Sequence, residues 1–133
     1  MTSRTLFVNL AVKDLDRSVE FFTKIGFTFD PRFTDDTATC MIVGDQAFVM
    51  LLTRSKFEEF VKTELADPTA QTEAIMAVSA DSREDVDALA DTALEAGGTP
   101  ANDPLDYGFM YGRSFRDPDG HLWEIFWIDQ QAT

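Results

Sequence analysis

Hydrophobic and polar positions follow a pattern in the first half of the chain that predicts a strand, a helix and three strands. The short apolar run Leu6–Val12 is typical of a buried strand. Leu15, Val19 and Phe22 then recur at helical spacing behind Asp14, which predicts a helix with Asp14 as its N-cap. Three further strand-like runs complete this half, at 27–33, 38–43 and 46–53.

The same order of elements recurs after a polar stretch in the middle of the chain. Residues 74–80 form a second short apolar run, and residues 81–85 open a second helical pattern that ends at Gly97. Strand-like segments follow near 99–102, 109–116 and 121–128, and Asp117-Pro118-Asp119-Gly120 joins the last two as a tight turn. Because Asp14 aligns with Asp81 and the apolar stripes behind them match, we interpret the halves as a diverged internal repeat.

Each half therefore has the element order of a βαβββ module, which predicts the α+β class. We place the first module at residues 5–53 and the second at residues 73–129. A short helix and a polar linker at residues 54–72 join them. The length of 133 residues fits a single domain, 1–133, that contains both modules.

Composition and charge narrow the classes of partner and site. The 24 acidic and 11 basic residues give a net charge of −13, which makes nucleic acid and anionic membranes poor candidate partners. A single cysteine, Cys40, rules out an intrachain disulfide, and a single histidine, His121, rules out motifs that need a histidine pair. No secretion signal or membrane-length apolar run is visible, so we expect a cytoplasmic protein.

Two stretches carry a resemblance to a known family: VNLAVKDLDRSVEFFTKIGF at residues 8–27 and SFRDPDGHLWEIFW at residues 114–127. With them the chain resembles the vicinal oxygen chelate superfamily, which includes glyoxalase I, extradiol dioxygenases, fosfomycin-resistance enzymes and bleomycin-resistance binding proteins. The resemblance implies a glyoxalase-like fold, in which two βαβββ modules form a cupped, partly open barrel-like sheet around a cavity. It also implies a homodimer, because single-domain members of this size commonly dimerise.

Metal-binding members of that superfamily carry His, Gln or Glu at four strand positions. Transferred by their offsets from the motifs, these positions are Phe7, Leu51, Ala74 and Glu124. Only Glu124 is a residue type that can bind a metal, whereas a selective divalent site needs about three protein ligands. We therefore expect no metal and no other cofactor. The alternative is a divalent metal held by rearranged ligands, drawn from Asn9, Glu73 and His121.

Strand alternation predicts a mostly apolar ligand cavity with two polar points, Asn9 and Glu124. The expected lining is Phe7, Asn9, Leu51, Ala74, Met76, Glu124 and Phe126, with Tyr111 and Arg113 on a glycine-punctuated flap at the mouth. An inward Glu124 should have a hydrogen-bond partner, for which Asn9 is the candidate. A structural alternative pairs Glu124 with Arg113. His121 is expected to be partly exposed at the start of the last strand.

Three functions remain open at this stage. The favoured hypothesis is a bleomycin-resistance-like binder without the family metal, which holds a small aromatic or cationic molecule in the cavity. The second is a metal-dependent lyase, isomerase or dioxygenase of the same superfamily with rearranged ligands. The third is a metal-free enzyme in which Glu124 is the catalytic general base. Whether the protein is an enzyme is thus left open, and the expected partner in each case is a small molecule.

Overall fold

The computed structural model describes residues 3–130 and divides the chain into two compact units, Met1–Leu65 and Ala66–Thr133. The division falls inside the segment 54–72, which was predicted to be a short helix and linker. Among the described residues, no helix is long and apolar enough to span a bilayer. The two units are built on the same plan, as the sequence repeat predicts.

The first unit contains one four-stranded sheet in the order β1-β4-β3-β2. Strand β1 runs parallel to β4, and the other neighbours are antiparallel. A 3₁₀ turn replaces the end of the predicted strand 27–33, because Pro31 has no N–H for the ladder and fixes its own φ. The elements are β1 Leu6–Val12, α1 Leu15–Lys24, β2 Thr28–Asp30, the 3₁₀ turn Pro31–Phe33, β3 Ala38–Gly44, β4 Ala47–Thr53 and α2 Arg54–Glu58.

The second unit repeats this topology with the order β5-β9-β8-β6, and a short extra strand, β7, also pairs with β8. Strand β5 is parallel to β9, as β1 is to β4. The elements are β5 Ile75–Ser79, α3 Arg83–Glu95, β6 Thr99–Pro100, β7 Leu105–Asp106, β8 Met110–Arg116 and β9 Leu122–Ile128. The matching strand orders confirm the α+β fold with two open sheets.

The two long helices begin with side-chain caps of different type. The Asp14 carboxylate accepts the N–H of Arg17 at 3.1 Å, which confirms Asp14 as the N-cap of α1. Helix α3 is capped by Ser82, whose hydroxyl accepts the N–H of Asp85 at 3.1 Å. The predicted alignment of Asp14 with Asp81 is therefore one residue out, and this shift changes the prediction of the site.

Each sheet has one face with a buried core, which we call its helix face, and an opposite open face. Partners in register on neighbouring strands project to the same face of a sheet. In the first unit Leu10 pairs with Leu51, and both are buried on the helix face. In the second unit Trp123 and Phe115 pair there, and both are fully buried. Burial of these apolar side chains stabilises each unit and fixes which positions remain on the open face.

Candidate functional site

Glu124 lies in the middle of β9, on the open face of the second sheet. It pairs in register with Ala77 of β5 and with Ser114 of β8. Its chain neighbours Trp123 and Ile125 are fully buried on the helix face, so alternation directs Glu124 away from the core. The predicted strand position of Glu124 is therefore correct, and the side chain is partly exposed.

Small side chains flank the Glu124 carboxylate. Ala77 stands beside it on the edge strand and is exposed. Gly112 lies on the other side, and a Cβ atom built there would be 3.9 Å from the carboxyl carbon of Glu124. Farther along the same face lie Phe126, which is partly exposed, and Ile75, which is 59% exposed. The carboxylate is thus reachable from solvent and has apolar surface close by.

Within the second unit, the Glu124 carboxylate takes part in no hydrogen bond and no ion pair among the described residues. The polar groups nearest to it in the sheet are engaged elsewhere. The Ser114 hydroxyl accepts the N–H of Asn102 at 2.8 Å. The Arg116 guanidinium donates to the carbonyl oxygen of Gly120 at 2.9 Å and to the hydroxyl of Thr72 at 3.2 Å. The carboxylate is therefore available to pair with a cation.

Two predicted lining residues of the second unit do not share the face of Glu124. Met76 pairs with Trp123 and is buried on the helix face, and Ala74 precedes β5. The prediction counted seven residues back from Asp81, whereas the helix is capped by Ser82. The same offset from Ser82 gives Ile75, which does lie on the open face with Ala77. A slip of one residue reverses the face of a strand position, which explains the error.

The first unit shows a similar shift on β4. Phe7 and Asn9 lie on the open face of β1, as predicted, and Phe7 stacks on Phe48 with ring centroids 5.0 Å apart. Leu51 instead pairs with Leu10 on the helix face and is fully buried, so its predicted place in a cavity lining is wrong. Met50, one residue earlier, is the residue in register with Asn9. The Asn9 amide donates to the carbonyl oxygen of Phe7 in its own strand, at 3.3 Å.

Tyr111 and Arg113 belong to strand β8 and face α3, so their predicted place on a flap is wrong. The Tyr111 hydroxyl donates to the Asp87 carboxylate at 2.6 Å. Arg113 donates to Asp87 at 3.1 Å and to Asp91 at 2.8 Å, which also excludes the alternative pairing of Arg113 with Glu124. The Tyr111 hydroxyl and the Arg113 guanidinium lower the pKa of Asp87. These contacts fasten α3 to the sheet.

His121 is buried, with 4% of its surface exposed, which corrects the expectation of a partly exposed residue. Its Nδ1 lies 3.2 Å from Oε1 of Glu73. Two of the three side chains that were considered as rearranged metal ligands, Glu73 and His121, therefore engage each other. Since His121 also precedes β9, it has no place on the open face beside Glu124.

The turn before β9 is held by a buried carboxylate, that of Asp117. This carboxylate accepts the backbone N–H groups of Asp119, Gly120 and His121 and the indole N–H of Trp123, the last at 3.0 Å. Burial raises the pKa of Asp117. Because Trp123 adjoins Glu124, this network fixes the register of the strand that carries the candidate site.

A separate surface depression of about 570 Å³ lies in the first unit. No strand contributes to it, and it contains none of the predicted site residues. It is formed by α2 and the loop after it, with the lining Arg54, Glu58, Val61, Lys62, Thr63, Glu64 and Leu65. One short segment forms this lining and carries charged groups of both signs. We therefore place the candidate site on the open face of the second sheet instead.

A family model described as the Glyoxalase/Bleomycin resistance protein/Dioxygenase superfamily matches residues 4–125. The chain belongs to this superfamily. This result confirms the family inferred from the two sequence stretches. No significant match is found among curated proteins.

Solved structures of this superfamily share the fold. A hypothetical protein from S. aureus is 26% identical, with a TM-score of 0.79 and coverage of 95% of this chain and 94% of that one. A glyoxalase/bleomycin resistance protein/dioxygenase family enzyme from Burkholderia phytofirmans is 17% identical, with a TM-score of 0.77 and coverage of 95% and 99%. A fosfomycin resistance protein from Mesorhizobium loti is 17% identical, with a TM-score of 0.68 and coverage of 95% and 92%. The likeness to the last two shows the fold alone.

The residues around Glu124 do not fit the divalent metal that the superfamily implies. A carboxylate flanked by Ala77, Ser114 and Gly112 offers one strong ligand where about three are needed. Within residues 3–130, no group of three or more His, Cys, Asp or Glu side chains is arranged to hold an ion. That the protein works without a metal stays a prediction, which elemental analysis after dialysis against Zn²⁺, Ni²⁺, Fe²⁺ and Mn²⁺ tests.

Proposed function

We propose that the protein binds a small organic cation with an apolar body on the open face of the second sheet, and that Glu124 pairs with its positive charge. The observation that carries this proposal is the free carboxylate of Glu124, which is partly buried yet engages no donor within its unit. A carboxylate that has lost part of its hydration gains most from a charge-assisted hydrogen bond. A cationic ligand supplies that bond.

The surroundings of Glu124 favour a ligand that is partly apolar. Ile75 and Phe126 present hydrocarbon and aromatic surface on the same face, within a few strand positions of the carboxylate. Binding sites for small molecules commonly combine such apolar surface with one or two polar groups that orient the ligand. An aromatic ring on the ligand would bury this surface and stack against Phe126.

The net charge of −13 supports the same class of ligand in a weaker way. A strongly acidic protein attracts cations over a distance and raises their local concentration, especially at low ionic strength. This attraction does not select one site, so the specificity would come from Glu124 and the apolar surface beside it.

Calorimetric titration with two probes of similar size tests the proposal. Benzylamine is a cation at pH 7, and benzyl alcohol is neutral with the same ring. We expect benzylamine to bind at least about tenfold more tightly than benzyl alcohol, since a charge-assisted pair contributes about 1.5–3 kcal/mol. The Glu124→Gln variant should remove this preference while it keeps the shape of the side chain.

Glu95→Gln is the matched control, because Glu95 is an exposed residue of the same unit and the substitution changes the net charge equally. This variant should bind benzylamine as the unmodified protein does. Equal affinities for the two probes, or a preference that survives Glu124→Gln, would refute the proposal.

A further inference from the structure

The hairpin that joins β7 and β8 ends in two exposed aromatic side chains. Tyr107 is 61% exposed and Phe109 is 51% exposed, and their rings stack with centroids 6.3 Å apart. We call residues 107–109 the aromatic tip. Aromatic side chains are enriched at protein interfaces, because they bury a large area at a small cost in conformational entropy. The aromatic tip is therefore a candidate contact surface for a partner.

Arg83, in the first turn of α3, holds the aromatic tip in place. Its guanidinium donates to the two carboxylate oxygens of Asp106, at 2.9 and 2.8 Å, and to the carbonyl oxygen of Gly108 at 3.0 Å. On the other side of the tip, the carbonyl oxygen of Phe109 accepts the N–H of Asp129 at 2.7 Å. A partner thus meets a surface that is already ordered, which lowers the entropy cost of binding.

The rings of the aromatic tip differ from two exposed rings of the first unit, each of which lies under a cation of the same chain. The Arg32 guanidinium is 5.4 Å from the ring centre of Phe33, and the Lys56 ammonium is 5.5 Å from that of Phe60. Within residues 3–130, no lysine or arginine group lies in this way over either ring of the aromatic tip. The faces of these rings are available to a cation from outside the chain.

The basic side chains of the second unit are few and already engaged. Residues 66–133 contain 14 acidic and 3 basic residues, whereas residues 1–65 contain 10 acidic and 8 basic residues. The three basic residues are arginines, and each has hydrogen-bond partners within its unit. Arg83 in addition lies over the rings of Tyr111 and Trp127, at 5.0 and 5.3 Å. The aromatic tip therefore belongs to a unit with a net charge of −11, which complements a basic partner.

We propose that the aromatic tip binds a basic segment of a partner protein, whose arginine side chains stack on the rings of Tyr107 and Phe109. A planar guanidinium stacks on an aromatic face and keeps its N–H groups free for carboxylates. Asp103, which precedes the hairpin, and Glu84, which follows Arg83, are exposed and can accept them. This surface does not involve Glu124, so the inference is independent of the proposed function.

Calorimetric titration with hexa-arginine and hexalysine peptides, capped at both ends, tests the inference at physiological ionic strength. The two peptides have the same charge, so general attraction to an acidic protein does not separate them. We expect hexa-arginine to bind about threefold or more tightly, because its guanidinium groups stack on the rings. The double variant Tyr107→Leu and Phe109→Leu keeps apolar side chains and the net charge, and it should weaken hexa-arginine binding about fivefold or more.

Phe33→Leu with Phe60→Leu is the matched control, because it removes two exposed rings that already lie under a cation. It should leave the affinity for hexa-arginine within about twofold of the native value. Glu124→Gln should leave it unchanged to the same degree, which separates the aromatic tip from the site of the proposed function. Urea unfolding establishes that each variant is folded before the titrations are compared.

Three results would overturn the inference. Equal affinities for the two peptides would show that charge alone attracts them. Unchanged hexa-arginine binding in the variant of the aromatic tip would exclude that surface. Weakening by Glu124→Gln in place of the tip variant would assign the peptide to the open face. If the double variant is unfolded in the urea experiment, Tyr107→Leu alone, read by the ratio of the two peptide affinities, decides the matter.

Discussion

The two sheets have the same strand order, but the side chains at the middle of their open faces differ in chemistry. We call the three side chains that lie in register there, one on each of three neighbouring strands, the middle row of a sheet. In the first unit Met50 of β4 stands between Asn9 of β1 and Cys40 of β3. In the second unit Glu124 of β9 occupies the equivalent position, between Ala77 and Ser114. The comparison teaches that topology decides which side chains meet, and that the residues in the row decide what they can bind.

The first row carries no charged side chain, whereas the second carries the Glu124 carboxylate. Cys40 is buried, with 1% of its surface exposed, and burial raises the pKa of its thiol. The neighbouring pair Phe7 and Phe48 covers part of the same face by stacking. In the second unit the equivalents of these aromatic residues are Ile75 and Leu122, and Glu124 in the next row is partly exposed. The same architecture therefore offers a candidate binding site in one half.

The hairpin turns that precede the central strands differ as well. The turn before β4 is short and contains the exposed Asp45. The turn before β9 is built around the buried Asp117, which holds four N–H donors. The second unit thus fixes its central strand by a polar network, and this difference predicts the largest effect on stability.

Replacement of Asp117 by alanine should destabilise the protein by about 3 kcal/mol or more, because buried donors are left without an acceptor. Asp45→Ala should change the free energy of unfolding by less than about 0.5 kcal/mol. Urea unfolding followed by tryptophan fluorescence measures both. Similar small changes in the two variants would contradict the contrast between the turns.

The raised pKa of Asp117 predicts the direction in which its contribution to stability changes with pH. Its pKa is raised above 3.8 in the folded protein, so the folded state binds this proton more tightly than the unfolded state does. The contribution of this group to stability is greatest below pH 3.8 and falls as the pH rises through the folded pKa. Carbon-13 NMR of the carboxyl group should show a midpoint above 3.8 for Asp117.

Alanine substitutions of Gly120 and Gly44 test the same contrast between the two turns. We expect a somewhat smaller effect on the free energy of unfolding. Gly120 has a φ of +100°, and a Cβ atom there would lie 2.8 Å from the carbonyl oxygen of Pro68. We expect Gly120→Ala to cost about 2 kcal/mol or more in the free energy of unfolding, since both backbone strain and a clash oppose it. Gly44→Ala, which meets neither obstacle, should stay within about 1 kcal/mol of the native protein. Equal costs in thermal or urea unfolding would show that the turns are equivalent.

The stacked rings of Phe7 and Phe48, on the open face of the first sheet, should show a modest interaction energy. A double-mutant cycle with Phe7→Ala and Phe48→Ala should give an interaction energy of about 1 kcal/mol, as is usual for aromatic pairs. The matched cycle on Ile75 and Leu122, which pair at the equivalent positions, should give a smaller value. A coupling near zero for the aromatic pair would mean that the first face is as uncovered as the second.

The smallest effect concerns an exposed ion pair in the second unit. Arg83 donates to both carboxylate oxygens of Asp106 and lowers the pKa of Asp106 to about 2. Because this pKa is lowered, the ion pair is present above pH 3.8 and is lost as the pH falls toward 2. NMR titration of the Asp106 carboxyl group should give a midpoint near 2, and Arg83→Gln should move it toward 3.8. An unchanged midpoint in the variant would contradict the assigned cause.

The sequence predicted the elements, the repeat and the family, because these depend on local patterns such as the Asp14 cap and the apolar run of β1. It placed Phe7, Asn9 and Glu124 on the correct faces of their strands. It named Leu51 and Met76 where the open face has Met50 and Ala77, because the position in β4 and the cap of α3 were each placed one residue out. Register depends on pairing across the sheet, which a count along one strand does not determine.

The polar contacts of the second unit were also missed, for a different reason. The contact of His121 with Glu73 joins segments far apart in the chain, and no local pattern shows it. The sequence did contain a pattern that could have predicted the ion pairs of Arg113. Asp87 and Asp91 are four residues apart and so lie on one helix face, where they form a natural partner for a cation on the adjacent strand.

The central claim is that a small cation binds on the open face of the second sheet, and methyl NMR during a benzylamine titration tests it most directly. Ala77 and Met76 are neighbours in β5 whose side chains lie on opposite faces. The account predicts that the Ala77 methyl signal shifts with benzylamine concentration while the Met76 methyl signal stays in place, and that Glu124→Gln abolishes the shift. A shift of Met76 without Ala77, or an Ala77 shift that persists in Glu124→Gln, would contradict it.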